Sequence, residues 1–186
     1  MNEIKKVSVF GGSSPQPGSD AYQQAHLLGK RLGQAGMTVL TGGYMGTMEA
    51  VSQGASEMGA LVIGVTSEEL EKWRAVKVNQ WVEQEQRCQS FRERLNFLVD
   101  QCDAAVALPG GIGTLLEICL TWNLMVIEAI KAKPLILMGE EWHRLIETFY
   151  KELGPYIRFP DREYIAFAPN PNAVIDLLNY FSGHCS

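Results

Sequence analysis

The chain has 186 residues, of which 46% are hydrophobic and 20% are charged, a balance typical of one globular domain with a full core. Its net charge of −5 and pI near 5.3 argue against non-specific binding to nucleic acids or anionic membranes, but leave room for a local pocket that binds a small anion. The most apolar window, residues 118–139, is interrupted by charges and a proline, and the N-terminus lacks a signal-peptide pattern. We therefore expect no membrane span and a cytoplasmic location.

Strands and helices are predicted to alternate along the chain. Short apolar runs indicate strands within residues 5–12, 37–43, 60–66, 103–111, 133–139 and 163–168. Apolar residues at helical spacing indicate helices within residues 21–36, 46–59, 90–102, 114–130, 140–153 and 170–181. A T-S-E-E sequence at 66–69 resembles a capping box that begins a further short helix. The segment 77–84 is ambiguous between a strand and a loop.

This alternation predicts an α/β fold. Near-continuous apolar strands are typical of a parallel sheet that is buried on both faces. With right-handed crossovers the result is a doubly wound, Rossmann-like parallel sheet with helices on both faces, formed as one domain by residues 1–186. Ligands of such sheets bind outside the carboxyl ends of the strands.

Glycine-rich loops follow three of the predicted strands, and a parallel sheet brings all three to the same edge. One loop alone is explained by the frequent use of glycine in turns, but three together favour a shared ligand crevice. The residues predicted to contact a phosphate or nucleotide there are Gly12, Ser13, Gly42, Gly43, Gly110, Gly111, Gly113 and Thr114.

The loops exclude two common nucleotide-binding motifs. The first loop lacks the lysine of a GxxxxGK[ST] motif, and no loop has the GxGxxG pattern after the first strand. The second strand also ends without the acidic residue that binds ribose in dinucleotide enzymes. Free amides and the helix dipole at Gly111, Gly113 and Thr114 nevertheless predict an anion site.

Glu117 and Arg94 each have a structural and a functional interpretation. Thr114 and Glu117 have T-x-x-E spacing, so the carboxylate could serve only as a capping-box partner. Alternatively, Glu117 points into the crevice and stabilises positive charge at a sugar carbon. Arg94 is either a solvated helix charge or a planar fork for phosphate or a base edge.

The segment PGGIGTLLE, residues 109–117, resembles the PGGxGTxxE motif of the Lonely Guy (LOG) family, members of which were formerly labelled lysine decarboxylases. FGGSS at 10–14 is similar to the CGSS turn of that family, and GGYMGTMEAVSQGA at 42–55 to its GGxxGLMG loop. Arg94 occupies the position of the arginine in the family's MHxRK segment. The resemblance covers residues from about 5 to about 140.

The resemblance implies an enzyme without a cofactor or metal. Active members hydrolyse the N-glycosidic bond of nucleoside 5′-monophosphates, including cytokinin ribotides, to a free base and ribose 5-phosphate. It implies that Glu117 and Arg94 are the catalytic pair and that the loop from Gly110 to Thr114 binds phosphate. It also implies a homodimer, formed through the helix that follows this loop.

Some positions depart from the family pattern. Arg92 and Leu95 replace the histidine and lysine of the arginine segment, and Glu49 replaces a glycine. These departures predict a reshaped base pocket and favour an alternative function, a non-catalytic carrier or sensor of a phosphorylated heterocycle such as a nucleotide or molybdopterin. A weaker alternative, a pure interaction protein, leaves the glycine edge unexplained. Lysine decarboxylation is disfavoured because no glycine loop carries a lysine for a Schiff base.

Cysteine, histidine and aromatic residues give weaker predictions. The four cysteines lack CxxC spacing and are predicted to be reduced, mostly buried thiols, and the three histidines lack metal-ligand spacing. Tyr44, Trp122 and Met125 are candidates to line a base pocket, although Trp122 and Met125 have the helical spacing that is more typical of a core or an interface.

Overall fold

The computed structural model describes residues 3–184 of the chain. Within them, seven strands form one parallel sheet in the order β4-β3-β2-β1-β5-β6-β7. The strands are β1 Lys6–Phe10, β2 Thr38–Thr41, β3 Val62–Ser67, β4 Gln84–Cys88, β5 Ala104–Ala107, β6 Leu135–Met138 and β7 Ile165–Ala168. The order reverses direction between β1 and β5, so the topological switch point of the sheet lies between these two strands.

The helices connect the strands and cover both faces of the sheet. They are α1 Asp20–Gln34, α2 Thr47–Glu57, α3 Glu68–Trp73, α4 Phe91–Asp100, α5 Ile112–Val126, α6 Glu140–Leu153, α7 Phe159–Arg162 and α8 Pro171–His184, with a 3₁₀ turn at Gly154–Tyr156. Helices α1, α2 and α8 pack on one face, and α4, α5 and α6 pack on the other. The predicted doubly wound α/β fold is confirmed.

Strand β1 shows why both faces of the sheet are buried. Val7 and Val9 face the core beneath α1, α2 and α8, while Phe10 belongs to the core on the opposite face. Ser8, also fully buried, donates a hydrogen bond of 2.6 Å to the carbonyl of Leu98 and so ties β1 to α4. Alternating side chains therefore meet an apolar layer on either side, as a two-sided parallel sheet requires.

The edge of the sheet differs most from the sequence expectation. The ambiguous segment 77–84 is largely loop, and the strand that follows it is β4, with the polar sequence QEQRC. An edge strand pairs on one side only, here with β3, so it needs no continuous apolar run. The predicted capping box at 66–69 is also wrong, because Ser67 caps α3 without a side-chain hydrogen bond, whereas Ser90 and Glu93 form a capping box on α4.

The cysteine prediction is partly correct. Cys88 and Cys102 are free and buried, but Cys119 is free and exposed on the outer side of α5, where sequence spacing alone suggested burial. Cys185 lies outside the described residues. Between residues 3 and 184, no group of three or more His, Cys, Asp or Glu side chains is arranged to hold a metal ion. No helix in the same range is long and apolar enough to cross a membrane.

Helices α1 and α2 approach each other through glycine. A Cβ atom on Gly54 would overlap the carbonyl oxygen of His26, and one on Gly29 would overlap that of Val51. We expect Gly54→Ala to lower the free energy of unfolding by about 1–3 kcal/mol, because the added methyl forces the two backbones apart. Chemical denaturation measures this change.

Gly183→Ala is the matched control. A Cβ atom on Gly183, in α8, meets nothing within 4 Å, so this variant should be neutral or stabilised by roughly 0.5–1 kcal/mol through helix propensity. Equal effects of the two substitutions would contradict a close contact between α1 and α2.

Candidate active site

A cavity of about 340 Å³ opens at the carboxyl edge of the sheet, beside the switch point between β1 and β5. The loops after β1, β2 and β5, the N-terminal parts of α2, α4 and α5, and the segment around α3 form its walls. The lining residues are Gly11, Gly12, Ser13, Ser14, Tyr44, Met45, Met48, Leu70, Trp73, Arg74, Val76, Phe91, Arg94, Gly111, Ile112, Gly113, Thr114 and Glu117.

Backbone hydrogen bonds hold the glycine loops against each other. The amide and the hydroxyl of Thr47 both donate to the carbonyl of Gly12, at 2.9 and 3.0 Å. The amide of Gly12 donates in turn to the carbonyl of Pro109 at 3.4 Å. The three loops that sequence analysis grouped by their glycines therefore form one connected edge, with the crevice between them.

The N-terminus of α5 faces this crevice. The helix begins at Ile112 with Gly111 as its N-cap, and no side chain caps it. The first-turn amides of an uncapped helix lack intrahelical partners and carry the positive end of the helix dipole. Gly113 and Thr114 belong to that first turn, and a Cβ atom on Gly111 or Gly113 would meet nothing within 4 Å. The open space beside these amides suits a phosphate group.

This helix start overturns the capping-box interpretation of Glu117. Thr114 is the third residue of α5 and not its N-cap, so Glu117 has no cap amide to accept from. Its carboxylate instead lies 3.9 Å from Nη1 of Arg94 on α4, and the two residues are only 7% and 4% exposed. Of the two interpretations of Glu117, the structural one is therefore wrong, and the side chain instead forms a buried pair with Arg94 at the cavity wall.

Arg94 is held rigidly. Its Nε donates to the carbonyl of Val65 at 2.7 Å, and its Nη2 donates to the carbonyl of Gly42 at 3.2 Å. The guanidinium carbon also lies 5.8 Å from the centre of the Tyr44 ring. The interpretation of Arg94 as a solvated helix charge is therefore wrong, and the remaining Nη1 faces the Glu117 side.

Burial changes the pKa of both members of this pair. Desolvation raises the pKa of Glu117 from 4.5 to about 7, although the charge of Arg94 opposes the rise. Burial also lowers the pKa of Arg94, which the carboxylate of Glu117 raises in turn. A guanidinium remains protonated at neutral pH. Glu117 is thus an acid that exchanges its proton near neutrality beside a fixed positive charge.

Three of the glycines predicted to contact a ligand lie behind the cavity wall. A Cβ atom on Gly42 would overlap Nη2 of Arg94, and one on Gly110 would overlap the hydroxyl of Thr114. Gly43 has a φ of +76°, which favours glycine. These residues make room for the site, whereas Gly12, Ser13, Gly111, Gly113 and Thr114 line it.

Of the three candidates to line a base pocket, one lines the cavity and two do not. Tyr44 lines the cavity, but Met125 is buried in the core and Trp122 donates from its indole to the carbonyl of Asp161 at 2.6 Å. Sequence reasoning missed the wall formed by residues 70–76, which includes Trp73 and Arg74. An exposed tryptophan next to an arginine in a short polar helix was the available signal.

The departures from the family pattern do not line the cavity. Arg92 is exposed on α4, Leu95 is buried on the same helix, and Glu49 lies on α2 outside the cavity lining. The expectation that these substitutions reshape a base pocket is therefore not supported by where they lie.

The structure is that of an α/β protein with a cavity beside the switch point of its parallel sheet. The chain matches the model of the SLOG cluster4 family over residues 4–162, and it belongs to that family. The resemblance to the Lonely Guy family expected from the sequence is confirmed.

Two curated relatives illustrate the match. The chain is 31% identical over 189 residues to the probable cytokinin riboside 5′-monophosphate phosphoribohydrolase LOGL2 of Oryza sativa subsp. japonica, with 98% of this chain and 75% of the relative covered. It is 27% identical over 158 residues to the cytokinin riboside 5′-monophosphate phosphoribohydrolase of Rhodococcoides fascians, with 82% and 74% covered.

A solved structure shows the same fold. The molybdenum cofactor binding protein of Rippkaea orientalis superposes with a TM-score of 0.75 at 25% sequence identity, with 96% of this chain and 97% of that chain covered.

The raised pKa of Glu117 predicts a pH-dependent stability. The fold favours the neutral carboxyl of Glu117. The contribution of this group to the stability of the parent is therefore largest below about pH 4.5 and is lost as the pH rises through about 7. Glu117→Gln cannot ionise. We expect its melting temperature, relative to that of the parent, to rise between about pH 5 and about pH 8.

The parent and Glu117→Gln share all other titrating groups, whose effects cancel in the difference between the two melting temperatures. Differential scanning fluorimetry across the pH range measures this difference. A difference that stays flat would show that the carboxyl of Glu117 titrates below this range, and one that falls with pH would also contradict a raised pKa.

Proposed function

We propose that this protein hydrolyses the N-glycosidic bond of a nucleoside 5′-monophosphate, giving a free base and ribose 5-phosphate. The observation that carries the proposal is the buried Glu117–Arg94 pair, one and a half turns inside the uncapped helix whose amides face the same cavity. The hydrolase names of the curated relatives support the same reaction. A purine or cytokinin-type base is the substrate class we infer.

The chemistry follows from the charge that develops during cleavage. As the bond between the base and C1′ breaks, positive charge spreads over C1′ and the ring oxygen, and an ionised carboxylate nearby stabilises it. Water then adds to C1′, and the departing base takes up a proton. Because its pKa lies near 7, the Glu117 carboxylate is also suited to accept the proton of that water.

Arg94 has a supporting role in this scheme. Its charge favours the ionised form of Glu117, and its bonds to two backbone carbonyls prevent it from turning away. The amides of Gly111, Gly113 and Thr114 hold the 5′-phosphate, which places the sugar between the helix terminus and the carboxylate.

Glu117→Gln tests this assignment. The amide keeps the shape of the side chain but removes its charge, so AMP should bind as it does to the parent while hydrolysis falls about a hundredfold or more. Chromatography of released adenine gives the rate, and calorimetry gives the affinity. Glu163→Gln, exposed and outside the cavity, should hydrolyse like the parent.

Near-parental hydrolysis by Glu117→Gln would remove the carboxylate from the reaction. The parent should also be incubated with AMP, GMP, CMP and IMP. If it releases no free base from any of the four, the hydrolase proposal itself is overturned.

A carrier of a phosphorylated heterocycle is the second candidate function. The structural similarity to the molybdenum cofactor binding protein of Rippkaea orientalis favours it. A carrier needs the anion site but not the charge of Glu117, so tight binding of AMP or a pterin without turnover by the parent would support this candidate.

We also propose that the protein is a homodimer. Helices α5 and α6 expose apolar side chains at helical spacing and meet where Trp122 packs against Phe149. The exposed apolar residues on this face are Ile112, Leu116, Ile127, Leu145, Phe149 and Leu153. Ile112 also lines the cavity, so a second copy seated on this face would close one side of the site.

Charges placed on this face should separate the dimer. The double variant Leu116→Glu, Leu145→Glu should sediment as a 20.6 kDa monomer, since burying two carboxylates in an apolar interface is costly, while the parent sediments at twice that mass. Met58→Glu, on an exposed apolar residue of the opposite face, should remain dimeric. A monomeric parent would contradict the proposal.

A further inference from the structure

A short segment outside the family motifs covers one side of the cavity. Helix α3 and the residue after it place Trp73 and Arg74 in the cavity wall. No residue of α3 is buried, and Trp73 is 73% exposed. A tryptophan this exposed contributes little to the core, so its position in the wall calls for another explanation.

The base of this segment is anchored on three sides. Arg87 on β4 forms ion pairs with Glu71 at 2.7 Å and with Glu68 at 3.7 Å. The hydroxyl of Tyr44 lies 3.4 Å from the carboxylate of Glu71, and Glu69 accepts a 2.7 Å hydrogen bond from the amide of Phe91. These contacts hold α3 beside the cavity, with Trp73 and Arg74 at its C-terminal end.

That end directs a positive charge at the first glycine loop. The guanidinium carbon of Arg74 lies 4.8 Å from the centre of the Trp73 ring, a cation–π distance. Nη1 of the same guanidinium donates to the hydroxyl of Ser13 at 3.3 Å. Trp73 thus supports Arg74 against the loop that adjoins the N-terminus of α5, where Gly12 bonds to Pro109.

The cavity lining includes one cation that is not part of an ion pair within the described residues. Its charged residues are Arg74, Arg94 and Glu117. Arg94 is paired with Glu117 and donates hydrogen bonds to two backbone carbonyls. Arg74, in contrast, forms no ion pair within residues 3–184. A phosphate dianion at the helix terminus is therefore met by amides, hydroxyls and one available cation, Arg74.

We propose that Arg74 is the residue that selects a 5′-phosphorylated substrate over the corresponding nucleoside, and that Trp73 is the positioning residue that holds it beside Ser13. This inference rests on the proposed function, since it assigns the phosphate-recognising cation of the same site. The guanidinium offers the phosphate two parallel donors, which a lysine could not.

The test compares three ligands on the full-length protein. AMP, adenosine and ribose 5-phosphate are titrated by calorimetry into the parent and into Arg74→Gln, and hydrolysis of AMP and adenosine is followed in parallel. Arg74→Gln should weaken AMP and ribose 5-phosphate about ten- to a hundredfold, the loss expected for one charge-assisted bond, and leave adenosine unchanged. The kcat for AMP at saturation should change little.

Matched variants separate recognition from structure. Lys72→Gln removes a neighbouring charge that is paired with Glu68 outside the cavity, and it should behave like the parent. Trp73→Ala should show a smaller loss with the same phosphate specificity, about two- to fivefold, and Trp73→Phe should restore most of it, since a phenyl ring also supports a guanidinium.

The outcomes distinguish the two proposals. If Arg74→Gln keeps the parental preference for AMP over adenosine, or weakens both ligands equally, the role of Arg74 is refuted while hydrolysis by the parent still supports the proposed function. If the parent binds AMP and hydrolyses none, the phosphate-specific loss still supports Arg74, and only the hydrolase proposal fails. If the parent binds none of the three ligands, both proposals are refuted.

Discussion

Arg94 and Glu117 lie buried together at the cavity wall, and removing a charged side chain from water costs on the order of several kcal/mol. The fold offsets this cost for Arg94 with the backbone carbonyls of Val65, within β3, and Gly42, just after β2, and Glu117 responds with a raised pKa. Gly42 is part of the same arrangement, because any side chain there would displace the guanidinium. A purely stabilising role is a poor explanation for such a pair, since well-packed apolar residues often do as well.

The sheet places this pair near the uncapped N-terminus of α5. Because β1 and β5 flank the switch point, the loops that follow them diverge and leave a crevice, and the N-terminus of α5 opens into it. In the proposed function the amides of α5 bind the phosphate, and Glu117 lies further along the same helix. Helix α5 would then set the separation between the phosphate and the acid, and the segment ending in Arg74 lines the other side of the cavity.

Sequence patterns predicted the fold, and most of the predicted site residues line the cavity, because apolar periodicity and glycine loops are local signals. Three features depended on tertiary context and were left open or missed. The true start of α5, two residues before Thr114, removed the capping role of Glu117. The polar strand β4 is stabilised by pairing with β3 and not by its own composition. Trp73 and Arg74 reach the cavity because distant residues anchor α3, which no local pattern reveals.

The most direct measurement is a pair of crystal structures, of the parent and of Glu117→Gln, each soaked with AMP. In the variant, intact AMP should lie with its phosphate on the amides of residues 111–114 and with C1′ about 3–4 Å from the side chain of residue 117. The parent crystals should retain ribose 5-phosphate without the base. Intact AMP in the parent, or a sugar turned away from residue 117 in the variant, would contradict the account.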